Sequence, residues 1–199
     1  MIEGFILAGG RSRRFGQDKL LYLLGRKSLV EHALDSLRSL CGKIYIVAKD
    51  TRKFHFLKDV ELLQDKMEKQ FVLSGLYTAL VNLKGEKGLV VAGDMPLLRE
   101  SLLKRLVKRS APPLTLFRVC GRLQPLPGVY YGELLPELEA YIKQGGERLL
   151  DFVESVPYKE IGEEEARECD PGLLSFLNVN TREDAEFILN IYGREVFEG

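Results

Sequence analysis

The order of its apolar segments constrains this chain most. Ile2 to Ala8 reads as a short buried strand, and "SLVEHALDSLRSLC" (28–41) then puts Val30, Ala33, Leu34, Leu37, Leu40 and Cys41 on one helical face. Ser28 and Glu31 make a capping-box pattern at the start of that helix, and Gly42 marks its expected stop. "KIYIVAK" (43–49) and "VELLQD" (60–65) are strand-like, "FVLSGLYTALVNL" (71–83) is helical, "GLVVAGDMP" (88–96) is a β-branched run, and "ESLLKRLVKRS" (100–110) is an amphipathic helix. A chain that alternates in this way buries its apolar faces by laying helices on both sides of a parallel sheet. The expected fold is therefore α/β, three-layered and Rossmann-like, with a mostly parallel sheet.

The second half predicts an antiparallel portion. "LTLFRVCGRLQPLPGVYY" (114–131) reads as two extended segments meeting at Gly121, followed by helices over 133–144 and 146–156. "SFLNVNT" (175–181) reads as extended, and Thr181 with Asp184 offers an Asp-for-Glu capping box for a last helix, "REDAEFILNIYG". The acidic run "EEEARECD" (163–170) reads as a solvated surface. Without repeats or a Pro/Gly/Ser linker, residues 1–199 are expected to form one domain, with two halves that meet at about residue 110.

Charge narrows the partners. Lys+Arg and Asp+Glu both number 29, so no global field draws the chain to nucleic acid or membrane, and any phosphate site must be local. No apolar stretch is long enough to span a bilayer, and the N-terminus opens into a strand-like run without the order of a signal peptide. Cys41, Cys120 and Cys169 lack CxxC spacing and read as small buried or half-buried thiols of a reducing compartment. A cytoplasmic enzyme or binding protein without nucleic-acid or membrane partners is expected.

Open α/β sheets bind ligands beyond the carboxyl ends of their strands, and three candidates emerge there. After the first strand, "LAGGRSRRFGQDK" supplies Gly9 and Gly10 for close backbone approach, with Arg11, Arg13, Arg14 and Lys19 for phosphate charge. It is not a P-loop: five residues separate Gly10 from Gly16, and Leu20 follows Lys19. Asp94 closes the "VVAGD" run before Met95 and Pro96, a place where one carboxylate can hold Mg²⁺ together with substrate phosphates. Asp65 could contact a nucleoside, assist the metal or begin a turn. Asn178 and Asn180 alternate along "LNVNT", either as amides for a polar, phosphate-bearing or heteroaromatic partner or as turn formers before the helix.

"LAGGRSRRFGQDK", "VVAGDMP" and "FLNVNTRED", in this order over nearly the whole chain, resemble the molybdenum cofactor guanylyltransferases of the nucleotidyltransferase superfamily. The first motif is shared across the superfamily, and the paired asparagines narrow it to this branch. The resemblance implies transfer of GMP from GTP to the phosphate of molybdenum-molybdopterin, with pyrophosphate released and cofactor passed on to molybdoenzymes or chaperones. It further implies that Leu7, Ala8 and Gly9 contact the guanine nucleotide through the backbone, with Gly10 beside them. Lys19 would meet the phosphates, Asp65 the nucleoside region and Asp94 the Mg²⁺, while Asn178 and Asn180 would face the pterin. Arg14 and Lys19 would hold the triphosphate while the acceptor attacks in line. The chain departs from the family pattern in two places: "FVLSG" stands where Gly-Pro-Leu is common, and Ala48-Lys49 where an Asn follows the second strand. The rivals are a sibling transferase using CTP or another phosphorylated acceptor, a nucleotide-sugar glycosyltransferase and a non-catalytic nucleotide sensor. A glycosyltransferase would normally carry Asp-x-Asp where this chain has Asp94-Met95-Pro96.

Overall fold

The computed structural model describes residues 2–9, 18–67 and 72–196. Along the chain, β1 (Ile2–Leu7) is followed by a one-turn 3-10 helix at Lys19–Leu21 and a small hairpin of β2 (Leu23–Leu24) and β3 (Lys27–Ser28). Then come α1 (Leu29–Arg38), β4 (Cys41–Ala48), β5 (Glu61–Gln64), α2 (Val72–Asn82), β6 (Lys87–Ala92) and α3 (Glu100–Arg109). The second half holds β7 (Leu114–Val119), β8 (Arg122–Tyr131), α4 (Leu135–Lys143), α5 (Leu149–Ser155), β9 (Lys159–Ile161), α6 (Glu163–Cys169) and α7 (Arg182–Val196).

Seven strands form one sheet in the order β5-β4-β1-β6-β8-β7-β9. β1 pairs in parallel with β4 and β6, β5 with β4, and β9 with β7; β8 alone runs antiparallel, between β6 and β7. The expected antiparallel portion is thus this single strand. Its turn is Cys120-Gly121, with φ of 50° and 71°, the two successive positive values of a hairpin turn that matches strand twist.

Successive residues of each strand face opposite layers. Ile6, Ile46, Leu89 and Val91 pack with Val30, Leu34 and Leu37 of α1 and Leu102, Leu103 and Leu106 of α3. Phe5, Tyr45, Val47 and Val90 pack with Leu73, Leu76 and Leu80 of α2, Leu138 of α4 and Phe152 of α5. A third, small core of Leu24, Leu29, Leu97, Val179, Ala185 and Ile188 joins the β2–β3 hairpin to α7. Among the described residues no helix is long and apolar enough to cross a membrane.

Both capping boxes form. Glu31 accepts from the Ser28 N–H at 2.7 Å, and Asp184 accepts from the Thr181 N–H at 2.8 Å while Thr181 Oγ1 accepts from Asp184 N at 3.2 Å. Several boundaries differ from expectation. α1 stops at Arg38, and Cys41 and Gly42 open β4 rather than closing the helix, because Cys41 is in register with Ile2 of β1. Leu40 and Cys41 fit the helical period by side-chain type alone, and the sheet ladder claims the backbone instead.

The segment 175–181 joins no strand. Leu174–Phe176 is a 3-10 turn, and 177–180 runs outside the sheet. The acidic run is the helix α6. Its carboxylates meet Arg105, Arg109 and Arg167, and its last member, Asp170, is wholly buried. Cys41 is buried and Cys169 half-buried, but Cys120, in the turn of the β7–β8 hairpin, is exposed.

Candidate active site

The parallel registers level the strand ends. Leu7 pairs with Val47 on one side and Ala92 on the other, and Ala48 pairs with Gln64. The residues that follow, Ala8-Gly9, Lys49, Asp65 and Gly93-Asp94, therefore leave the sheet at one edge. The chain runs from β1 to β4 and β5 on one side and then returns to β6 on the other. The crevice outside β1 and β6 is thus the topological switch point, where open α/β sheets receive ligands.

At that crevice the expected residues meet. Lys19 Nζ donates to Asp94 Oδ2 at 2.6 Å and to Asn180 Oδ1 at 3.3 Å. Both side chains of the ion pair are 17% exposed, so the pair is shielded but reachable from solvent. Local packing explains the meeting. Asp18 caps the 3-10 turn by accepting from Leu20 N at 3.2 Å and is itself paired with Lys53. Leu20 is buried against Gly93, where a Cβ would come within 3.3 Å of both Leu20 methyl carbons. Without a side chain at Gly93, Leu20 seats directly on the exit of β6, and its neighbour Lys19 reaches Asp94. Gly93 N donates to Leu7 O at 3.1 Å, which continues the β1–β6 ladder up to the carboxylate.

Asp94 caps no helix, since α3 begins at Glu100 with Arg99 as its N-cap. Its backbone oxygen accepts from Val179 N at 2.9 Å. That bond fixes the segment 177–180 alongside the loop after β6. Val179 is fully buried, and Asn178 and Asn180 on either side of it are exposed.

Leu7 and Ala8 are buried, with Ala8 N donating to Val47 O at 2.8 Å. Gly9 is exposed, its φ is not positive, and a Cβ there would meet none of the described residues within 4 Å. A left-handed turn is therefore not what glycine serves at this position. Gly10, Arg11, Arg13 and Arg14 lie outside the described residues.

Asp65 sits three strands from β6, about 14 Å along the edge at ordinary strand spacing. It is only 6% exposed and its carboxylate is occupied. Oδ1 accepts from Met67 N at 3.0 Å, Oδ2 accepts from Ser74 Oγ at 2.6 Å, and Lys49 Nζ lies 3.2 Å from Oδ2. Lys49 also donates to Met67 O. Asp65 thus ties the loop after β5 to the first turn of α2. Lys49 was reached in the sequence only as a departure from a family pattern, although it leaves β4 at the same edge as the other candidates.

As a donor set for a cation, Asp94 suits Mg²⁺. It is one strand-end carboxylate, partly open, at a crevice suited to phosphates, and Mg²⁺ needs only one or two carboxylates when phosphates complete its shell. Among the described residues no group of three or more acids, histidines or cysteines makes a separate metal cage.

The chain is similar to known proteins over most of its length. Residues 4–158 match the MobA-like NTP transferase domain. A protein of Aquifex aeolicus named "Probable molybdenum cofactor guanylyltransferase" is 37% identical over 94% of this chain and 90% of its own. The molybdenum cofactor guanylyltransferase of Desulfosudis oleivorans is 28% identical over 93% of each chain. The crystal structure of molybdopterin-guanine dinucleotide biosynthesis protein A from Archaeoglobus fulgidus superposes with a TM-score of 0.83 at 25% identity, covering 97% of this chain and 100% of that one. With the domain match over most of its length and relatives this similar end to end, the chain belongs to the MobA-like NTP transferase family.

Proposed function

We propose that this protein transfers GMP from GTP to the phosphate of molybdenum-molybdopterin, releasing pyrophosphate and forming the guanine dinucleotide cofactor. One observation carries the reading: Lys19, Asp94 and Asn180, from three distant motifs, meet around a single ammonium at the switch-point crevice. The names of the relatives, molybdenum cofactor guanylyltransferase and molybdopterin-guanine dinucleotide biosynthesis protein A, support guanylyl transfer to that cofactor.

In this reading the triphosphate enters over the exposed Gly9 and draws the Lys19 ammonium from Asp94 toward its oxygens. Arg14, from the same sequence motif, would assist. The acceptor lies against the exposed residues Asn178 and Asn180, the second of which reaches Lys19. Its phosphate oxygen attacks the α-phosphorus in line, forming a P–O bond as the bond to the leaving pyrophosphate breaks. Such chemistry asks for orientation and charge compensation rather than a protein nucleophile. Mg²⁺ held by Asp94 would neutralise charge on the phosphates.

The test is purified protein with GTP, CTP or UTP, molybdenum-molybdopterin and Mg²⁺, read by pyrophosphate release and by mass spectrometry of the dinucleotide. GTP alone should support turnover, and Asp94→Ala should lose it while circular dichroism stays unchanged. Equal turnover with CTP would reassign the base, and full activity in Asp94→Ala would remove that carboxylate from the reaction.

A further inference from the structure

Asp170 is a carboxylate with 0% exposure, placed where α6 ends. Oδ2 accepts from Ser175 N at 2.7 Å, whereas Oδ1 has no hydrogen-bond partner and lies 3.3 Å from Arg99 Nε. Ser175 is also wholly buried. Its hydroxyl accepts from Arg99 N at 3.0 Å and donates to Leu97 O at 3.3 Å. Nearby, Ser101 Oγ donates to Cys169 O at 3.0 Å. The stretch after β6 that begins with Asp94 is thus bonded to residues 169–179 at Leu97, Arg99 and Ser101, and at Asp94 itself through Val179 N.

Burying a carboxylate with one oxygen unsatisfied is costly, and a buried ion pair adds little net stability even when complete. Stability alone is a poor reason for this network. Its geometric effect is specific, because it sets the height of the 174–176 turn against the loop after β6. Asn178 and Asn180 follow that turn by two and four residues. From this we infer that Asp170 and Ser175 are positioning residues, holding the asparagine segment in register with Asp94 so that acceptor and nucleotide meet at the correct separation. The inference rests on the function proposed above for the choice of acceptor.

The Ser175→Ala protein tests it, with Asp170→Asn as a second variant that keeps an acceptor for Ser175 N. Hydrogen exchange should accelerate at the Val179 amide, which is bonded to Asp94, and remain unchanged in β1. In kinetics, the KM for molybdenum-molybdopterin should rise about tenfold, the scale of losing one or two buried hydrogen bonds. The Kd for GTP with Mg²⁺ by calorimetry should stay within about twofold of wild type. If acceptor KM and nucleotide Kd worsen together in proportion to a lowered Tm, the network only supports the fold and the inference fails. An unchanged Val179 exchange rate or an unchanged acceptor KM overturns it as well. Absence of GMP transfer in the wild-type protein would instead defeat the proposed function, and the exchange measurement would then decide the positioning role alone.

Discussion

Replacing Asp65 by alanine separates two roles that the sequence leaves open. If Asp65 is an internal anchor, its loss strikes the fold; if it only touches a nucleoside, the loss strikes ligand binding. The structure favours a large stability effect. The substitution removes the acceptor of a hydroxyl on the fully buried Ser74, the acceptor of Met67 N, and the partner of Lys49. Breaking a buried pair costs about 3–5 kcal/mol, but Lys49 is 24% exposed and can recover part of its hydration. A loss of about 2–4 kcal/mol is therefore expected. For a chain of this size each kcal/mol moves Tm by about 2–4 °C, so calorimetry should show a fall of about 4–16 °C. Urea titration should give a lower midpoint at an unchanged slope. A wild-type Tm combined with weakened GTP binding would refute the anchor and restore a direct contact.

Four further outcomes follow from the same geometry. Lys19→Met should weaken GTP binding at least tenfold by calorimetry, and wild-type affinity would remove the ammonium from the phosphate site. In Gly128→Ala the new Cβ would lie 2.8 Å from the Pro125 carbonyl oxygen and 2.7 Å from Leu116 and Tyr130 side-chain atoms. It should cost about 1–3 kcal/mol in urea unfolding, and an unchanged midpoint would show that β8 shifts freely. A thiol reagent should modify exposed Cys120 at once and leave buried Cys41 untouched until denaturant is added; rapid loss of all three thiols would contradict the packing under Gly4. Burial pushes the Cys41 thiol from 9.0 up to about 12. From about pH 9 to 12 the unfolded chain therefore sheds a proton that the folded chain keeps, and stability should fall with rising pH, less so in Cys41→Ala.

The alternation of strand and helix, both capping boxes, the meeting of two strands at Gly121 and the strand-end placement of the loop after β1, Asp65 and Asp94 were legible in the amino-acid order. Each depends on near-neighbour patterning, with a period of two or 3.6, an oxygen three residues from an amide, or a glycine at a left-handed turn. The limits of α1, the sheet order and the small strand β9 were not legible, because a ladder partner distant in sequence decides them. The same holds for the site. Motif spacing marked Lys19, Asp94 and Asn180 separately, but only packing of Leu20 on Gly93 and the bond from Val179 to Asp94 bring the three together. Asp170 looked like one more solvated acid in "EEEARECD", and Asp65 looked equally available to a ligand. Tertiary burial alone set those two carboxylates apart, since desolvation and the donors that offset it come from residues remote in the chain.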